Sequence, residues 1–146
     1  MGIRMTFYLN EQYPSAKRAL VFMEDDDGAE IVRVYLRDGQ FATVLAGDFT
    51  KLMSLGISPN WFFNKDGDGK NPYVRAFLSV AKGGTGNLVT VARLIRPAPF
   101  RGLMVRHKDG RSLNLRRDNL FISEGRTSAL AREWSLINAA NLTLTA

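Results

Sequence analysis

The sequence predicts an α+β fold, in which short antiparallel hairpins lead to a C-terminal amphipathic helix. Hydrophobic residues make up 45% of the 146 residues, enough for the core of one domain or of a small domain with an extension. Stretches rich in β-branched and aromatic residues alternate with Asp-Gly and Gly-rich turn signals, which is typical of hairpins. Helical spacing of apolar residues is confined to a stretch around Asp48 and a second one near the C-terminus.

The first thirty residues combine two strands with an acidic turn. Strands are expected at 7–9 and 20–22, on either side of a break at 13–15. The run 24–27 holds one glutamate and three aspartates, and we expect a solvated loop, although four adjacent carboxylates could also hold a cation. Because carboxylates repel phosphates, we expect this loop to lie away from any nucleic acid.

A hairpin and a short helix should follow. Strands are expected at 31–36 and 41–45, joined by a turn in which Gly39 supplies a positive φ. Asp48 is the expected N-cap of a helix whose apolar side includes Phe49 and Leu52, and Gly56 should end it. The aromatic run 61–63 is expected to be a strand or a core anchor.

The middle of the chain predicts two further strands, at 73–80 and 88–95. The glycine-rich loop between them lacks the Lys-Ser/Thr of a nucleotide P-loop. The segment 64–69 has the spacing of a calcium loop, but Arg75 stands at the twelfth position, where a bidentate glutamate is needed. We therefore expect two hairpin loops and no calcium site.

The last third should contain a strand and the C-terminal helix. The strand is expected at 103–105, after a connector made rigid by prolines, and leads into the stretch that holds His107. Leu130, Trp134 and Ile137 share one helical face, with Thr127 or Ser128 as the cap. This face is expected to pack on the domain, or to make a dimer or DNA contact. We divide the chain into an N-terminal α+β region, 1–60, and a second domain, 61–146.

Positive charge is concentrated in the C-terminal half. The whole chain carries +6, yet residues 1–72 contain 8 Lys and Arg against 10 Asp and Glu, and residues 73–146 contain 12 against 4. Ten of those twelve cations are arginines, which suit bidentate phosphate contacts. Such a half is typical of a polyanion-binding protein, although it is also compatible with a solubilising surface.

The stretch 105–120 carries the most specific pattern in the chain. It holds the single histidine, an Asp-Gly turn and four arginines. It resembles the core of the HNH (ββα-metal) endonuclease family, roughly Asp-His-x-Asp/Asn-Gly-x-x-x-Asp/Asn-Asn-Arg-x-x-Asn-Leu. The matching residues are His107, Asp109, Gly110, Asn114, Arg116, Asn119 and Leu120.

Upstream residues extend the resemblance to about 31–125. Phage-type HNH proteins often carry Gly-x-Ala-x-Val-Asp, Trp, Tyr-x-x-Arg and His-Arg-Leu-Ile segments before the core. The corresponding residues are 39–44, Asp48, Trp61, Tyr73 with Arg75, and 92–95, with Ala92 in place of the usual histidine. The resemblance implies that 61–146 is an HNH-like domain with a ββα-metal-like unit.

The resemblance also implies a mechanism, in which one divalent metal such as Mg²⁺ polarises a phosphodiester. His107 would be the general base and Asn119 would orient it. The family's metal ligands fall on Arg106 and Ser128, neither of which suits a metal, and a guanidinium repels a divalent cation. We therefore predict no metal ligand. Without a metal, His107 is expected to form a core hydrogen bond or touch a phosphate.

Two aspartates close to His107 in the sequence are candidates to replace the missing metal ligands. Asp109 belongs to the turn signature and is expected to be structural, while Asp118 would need a rearranged geometry to help. Arg106 is expected to place its charge where the metal would lie. The predicted nucleic-acid-binding residues are Arg75, Arg93, Arg96, Arg101, Arg106, Lys108, Arg111, Arg116 and Arg117.

Three functions follow from this reading. The first is a phage-encoded protein that binds double-stranded DNA on an HNH-like scaffold without metal-dependent cleavage. The second is an active HNH nicking or homing endonuclease, and the third is an inhibitor of a host protein or defence complex. The basic half favours the first over the third. The absence of cysteines, of a signal peptide and of apolar runs of about 18 residues predicts a cytoplasmic protein, with a homodimer as an option.

Overall fold

The computed structural model describes residues 5–64, 72–79, 87–97, 99, 103–124 and 136–140. Within them the fold is α+β with mostly antiparallel sheets, which confirms the coarse fold class. No helix in these ranges is long and apolar enough to cross a membrane. Several predictions fall on residues outside the described ranges: those for the glycine loop, most of the calcium-like loop, Arg101 and Ser128.

The first sheet is a four-stranded meander in the order β1-β2-β3-β4. Its strands are β1 (Phe7–Tyr8), β2 (Leu20–Glu24), β3 (Glu30–Tyr35) and β4 (Phe41–Leu45). All three neighbouring pairings are antiparallel and join consecutive strands. Gly39 has φ 76° in the β3–β4 turn, a conformation in which other residues are strained, so the Asp-Gly prediction is confirmed.

Helix α1 (Ala46–Ser54) leaves β4 without any intervening turn. The predicted cap at Asp48 is wrong, because Leu45 is the N-cap residue and Asp48 lies in the first helical turn. An acidic side chain there still stabilises the helix through its dipole. Phe49 and Leu52 are buried as predicted, and the chain leaves the helix at Gly56 with φ 88°.

The second sheet has the order β5-β6-β7, with β5 (Phe62–Asn64), β6 (Tyr73–Leu78) and β7 (Asn87–Thr90). The strand predicted over 88–95 is wrong in its second half, where the chain forms helix α2 (Val91–Ile95). All five residues of α2 are buried. A fully buried helix shows no amphipathic spacing, so its apolar run resembles a strand.

A two-stranded antiparallel hairpin carries the motif, with β8 (Leu103–His107) and β9 (Leu120–Glu124). Residues 117–119 form a 3-10 turn immediately before β9. Residues 136–140 are helical and Ile137 is 3% exposed, in agreement with the predicted packing of that face. The rest of the predicted C-terminal helix lies outside the described residues.

One hydrophobic cluster joins the two sheets, both helices and the hairpin. It extends from Leu9 through Trp61, which is 0% exposed, to Ile137, and so crosses the predicted boundary at residue 60. The division into two domains stays a prediction. A parallel bridge also links Thr43 of β4 to Asn114, with backbone hydrogen bonds of 2.8 Å from Thr43 N to Leu113 O and 2.7 Å from Leu115 N to Thr43 O.

Candidate functional site

His107 stands at the end of β8 and is half-buried. In the hairpin it lies opposite Leu120, so its neighbour across the strands is the residue after Asn119. Its Nδ1 lies 3.1 Å from the backbone oxygen of Asn114. Since a carbonyl oxygen only accepts hydrogen bonds, Nδ1 carries the proton, and in the neutral ring Nε2 keeps the lone pair.

The side chain of Asn119 also donates a hydrogen bond to the backbone oxygen of Asn114. It is 9% exposed, and its Nδ2 donates to Asn114 O at 3.0 Å and to Asp109 Oδ1 at 3.0 Å. Its Oδ1 accepts from the backbone N–H of Asp109 at 3.2 Å. Asn119 therefore contacts His107 only through Asn114 among these bonds, which makes it a positioning residue for the ring.

The carboxylate of Asp109 is engaged by hydrogen bonds within the turn that begins at this residue. It accepts from the backbone N–H of Arg111 at 2.8 Å and from Asn114 Nδ2 at 2.9 Å. Burial alone would raise the pKa of Asp109, but the hydrogen bonds from Asn114, Arg111 and Asn119 outweigh it and lower that pKa. Gly110 completes the turn with φ 72°. These contacts fit the structural role predicted for Asp109.

Arg116 is bound to three carboxylates. Its guanidinium lies 2.7 Å from Asp25, 2.8 Å from Asp27 and 3.0 Å from Asp118, and the Arg116 side chain is only 13% exposed. The hydrogen bond from Arg116 is the main cause that lowers the pKa of Asp27 to about 2. The same carboxylates raise the pKa of Arg116.

The acidic loop therefore contacts the motif through Arg116, and the expectation that the loop lies away from nucleic acid stays a prediction. Asp25 and Asp27 lie 91 and 89 residues from Arg116 in the sequence, so these contacts are long-range. The Arg116 guanidinium offsets part of the negative charge of the loop.

Arg117 and Arg96 form a second set of internal contacts. Arg117 Nη2 lies 3.0 Å from Asp48 Oδ1, in an ion pair whose carboxylate is 12% exposed. Arg96 donates from Nε and Nη2 to the backbone oxygen of Arg117, at 3.3 Å and 3.2 Å. Both arginines brace the 3-10 turn that precedes β9, and each is only partly exposed.

The remaining predicted cations divide by exposure. Arg93 is 9% exposed, and Arg75 is half-buried with Nη2 donating to Leu88 O at 3.1 Å. Arg93 is thus among the buried residues, and its predicted part in nucleic-acid binding stays a prediction. Arg106, Lys108 and Arg111 are exposed, and none of them forms an ion pair with a carboxylate among the described residues.

An open cleft of about 610 Å³ runs between β4 and the motif turn. Its walls include Gln40, Phe41 and Phe63 on one side and residues 109–114 on the other. Of the three exposed cations, Arg111 is the one that lines this cleft.

The described residues contain no group of three His, Cys, Asp or Glu side chains close enough to hold a metal ion. Arg106, which the HNH resemblance aligns with a metal-ligand position, donates from Nε to Ser123 Oγ at 2.7 Å across the hairpin. Asp118 is paired with Arg116. The ligand prediction for Ser128 lies outside the described residues.

Sequence reasoning did not identify two features of the site. One is the Asn114 carbonyl that joins His107 to Asn119, which no side-chain pattern can reveal. The other is the pairing of Arg116 with the acidic loop. The signal for it was present, since a run of carboxylates and an arginine of a compact motif both require counter-charges when partly buried.

Comparisons with family models, with curated proteins and with solved structures each found no match for this chain.

Proposed function

We propose that this protein binds double-stranded DNA through the β8–β9 hairpin and its intervening turn, on an HNH-like scaffold that lacks metal-dependent cleavage. The observation that carries the proposal is the exposure of Arg106, Lys108 and Arg111 around His107 without carboxylate partners among the described residues. Exposed, unpaired cations release counterions from DNA when they meet its phosphates.

The internal ion pairs reduce the expected strength of binding. Nine cations were predicted to meet nucleic acid, and nine phosphate contacts would give a slope of log K against log salt of about −8. Arg93 is buried, and Arg116 and Arg117 are paired internally. Arg75 and Arg96 are half-buried and donate to backbone oxygens, and Arg101 lies outside the described residues. The three exposed cations that remain support a slope of about −3. The proposal therefore predicts weak, strongly salt-sensitive binding.

Two observations support the absence of metal chemistry. The carboxylates nearest to His107 in sequence, Asp109 and Asp118, are both engaged by other side chains. Arg106 brings a permanent positive charge to the position where the family has an acidic ligand. We infer that the Arg106 guanidinium contacts a phosphate there.

One observation favours the alternative, an active nicking endonuclease. The bond from His107 Nδ1 to Asn114 O fixes the tautomer that leaves Nε2 as a proton acceptor, which a general base requires. If this reading is right, the protein nicks DNA with a metal that it holds through ligands outside the family pattern.

Plasmid incubation separates the two readings. Purified protein and His107→Ala are mixed with supercoiled plasmid in Mg²⁺, in Mn²⁺ and in EDTA, at low salt. Retardation without nicking in every condition supports the proposal. Metal-dependent nicking that His107→Ala abolishes would instead establish the endonuclease.

Fluorescence anisotropy with a labelled duplex then tests whether the three exposed cations contact DNA. Arg106→Ala, Lys108→Ala and Arg111→Ala should each weaken binding and reduce the salt slope by about 1. Lys51→Ala, which removes an exposed cation from α1, is the matched control and should change neither quantity. Absence of duplex binding at low salt would refute the proposal and favour a protein partner, as an inhibitor would have.

A further inference from the structure

The second sheet has one face that does not pack against the core. Side chains alternate along β6, so Val74, Ala76 and Leu78 point to one side and Tyr73, Arg75 and Phe77 to the other. The first set is 1%, 0% and 8% exposed and belongs to the hydrophobic cluster. The second set therefore lines the opposite surface of the sheet.

Strand register extends this surface to both neighbours of β6. Phe62 of β5 lies opposite Arg75, and Leu88 of β7 lies opposite Phe77, so both side chains share the outer side of the sheet. Neither Phe62 nor Leu88 packs against the core cluster, whereas Phe63 on β5 does. We define the aromatic face by these outer side chains: Phe62, Tyr73, Arg75, Phe77 and Leu88.

The aromatic face is arranged in space as well as in sequence. The rings of Phe62 and Phe77 lie 6.0 Å apart at 43°, and Phe77 is 49% exposed. The Arg75 guanidinium carbon lies 5.8 Å from the Tyr73 ring centre, and its Nη2 is anchored to Leu88 O at 3.1 Å. Sheet geometry thus presents ring surfaces on adjacent strands, with the Arg75 guanidinium beside Tyr73.

We propose that the aromatic face binds single-stranded nucleic acid by stacking unpaired bases on Phe77 and Phe62, with Arg75 as the adjacent cation. Aromatic side chains that stand out from a sheet are platforms for unpaired bases, since every base has a π surface. A guanidinium beside the rings adds cation–π and phosphate attraction.

Charge favours nucleic acid over an apolar protein partner. The outward positions of the three strands also include Asn64 and Thr90, and among these described positions Arg75 is the only charged residue. A face with one cation and no carboxylate is complementary to a polyanion. This inference uses residues separate from Arg106, Lys108 and Arg111, so it can fail while the proposed duplex binding holds.

The experiment uses a labelled oligothymidine of about 12 nucleotides, with the corresponding duplex as the second probe, at the same low salt. Phe77→Ala should weaken single-strand binding at least about fivefold and change duplex binding less than about twofold. Tyr8→Ala removes an aromatic side chain that is 71% exposed on β1, and is the matched control with no expected effect.

Two further measurements distinguish stacking from apolar docking. Phe77→Leu keeps an apolar side chain but no ring, so it should lose single-strand affinity like Phe77→Ala. An oligonucleotide that carries 2-aminopurine should lose fluorescence on binding to the wild type and keep it with Phe77→Leu. The proposal is overturned if the wild type does not bind the single strand, if Phe77→Leu binds as well as the wild type, or if Tyr8→Ala weakens binding equally.

Discussion

Asn119→Ala should destabilise the fold by about 3 kcal/mol through the loss of three hydrogen bonds. The side chain is 9% exposed, and it bonds Asn114 O, Asp109 Oδ1 and the Asp109 N–H. Each neutral bond contributes about 1 kcal/mol and a bond to a carboxylate about 1.5–3 kcal/mol. Because Asp109 is solvent-exposed, the lower end of the sum applies.

Urea denaturation of both proteins, followed by circular dichroism, measures this loss. Asn138→Ala is the matched control, since Asn138 is exposed, and it should shift stability by less than about 0.5 kcal/mol. A second readout is the ¹⁵N spectrum of His107, in which the variant should show a mixture of tautomers while the wild type shows the Nδ1–H form. A loss below about 1 kcal/mol together with an unchanged tautomer would refute the positioning role of Asn119.

Three further variants test the neighbourhood of the site. The pKa of Asp27 is about 2 against a usual 3.8, so its ion pair stabilises the fold above pH 4 and this stabilisation is lost as the pH falls to about 2. Thermal unfolding measured across this pH range should therefore show a lower unfolding midpoint for Arg116→Met than for the wild type at pH 6. Near pH 2 the two midpoints should be equal. The same difference in midpoint at both pH values would contradict the pairing. Gly110→Ala should destabilise by about 1–2 kcal/mol because φ is 72°, although a Cβ there would meet no atom within 4 Å. Gly47→Ala, in helix α1 with similar open space, should instead stabilise by up to about 1 kcal/mol, and thermal unfolding with equal signs for both glycines would contradict the conformational argument.

Local pattern was sufficient for most of the strands. The hairpin of β3 and β4 was predicted within one residue at each end, since alternating β-branched residues and the turn at Gly39 act over a few positions. The pattern was insufficient where burial was uniform, as in α2, which reads as a strand because all of its residues are buried. Asp48 was misplaced as a cap because the helix continues directly from β4.

The candidate site divides in the same way. His107 and Asn119 were selected from the resemblance to the HNH pattern. His107 ends β8 and Asn119 immediately precedes β9, so the pairing of these two strands brings them close together. The roles of the arginines were beyond local pattern. Arg116 is paired with Asp27 and Asp25, which are 89 and 91 residues away in the sequence. Arg117 is paired with Asp48, which is 69 residues away.

The sequence by itself determined the α+β class, most of the strands and turns, and the strand that leads into His107, because each depends on interactions between residues close together in the chain. Only the tertiary structure decided which cations face solvent, which are paired internally and that one sheet turns Phe77 outward. Those outcomes depend on packing between segments that are distant in the sequence. Whether an arginine is buried, paired or exposed is therefore decided by the residues that pack against it, which the residue type alone does not specify.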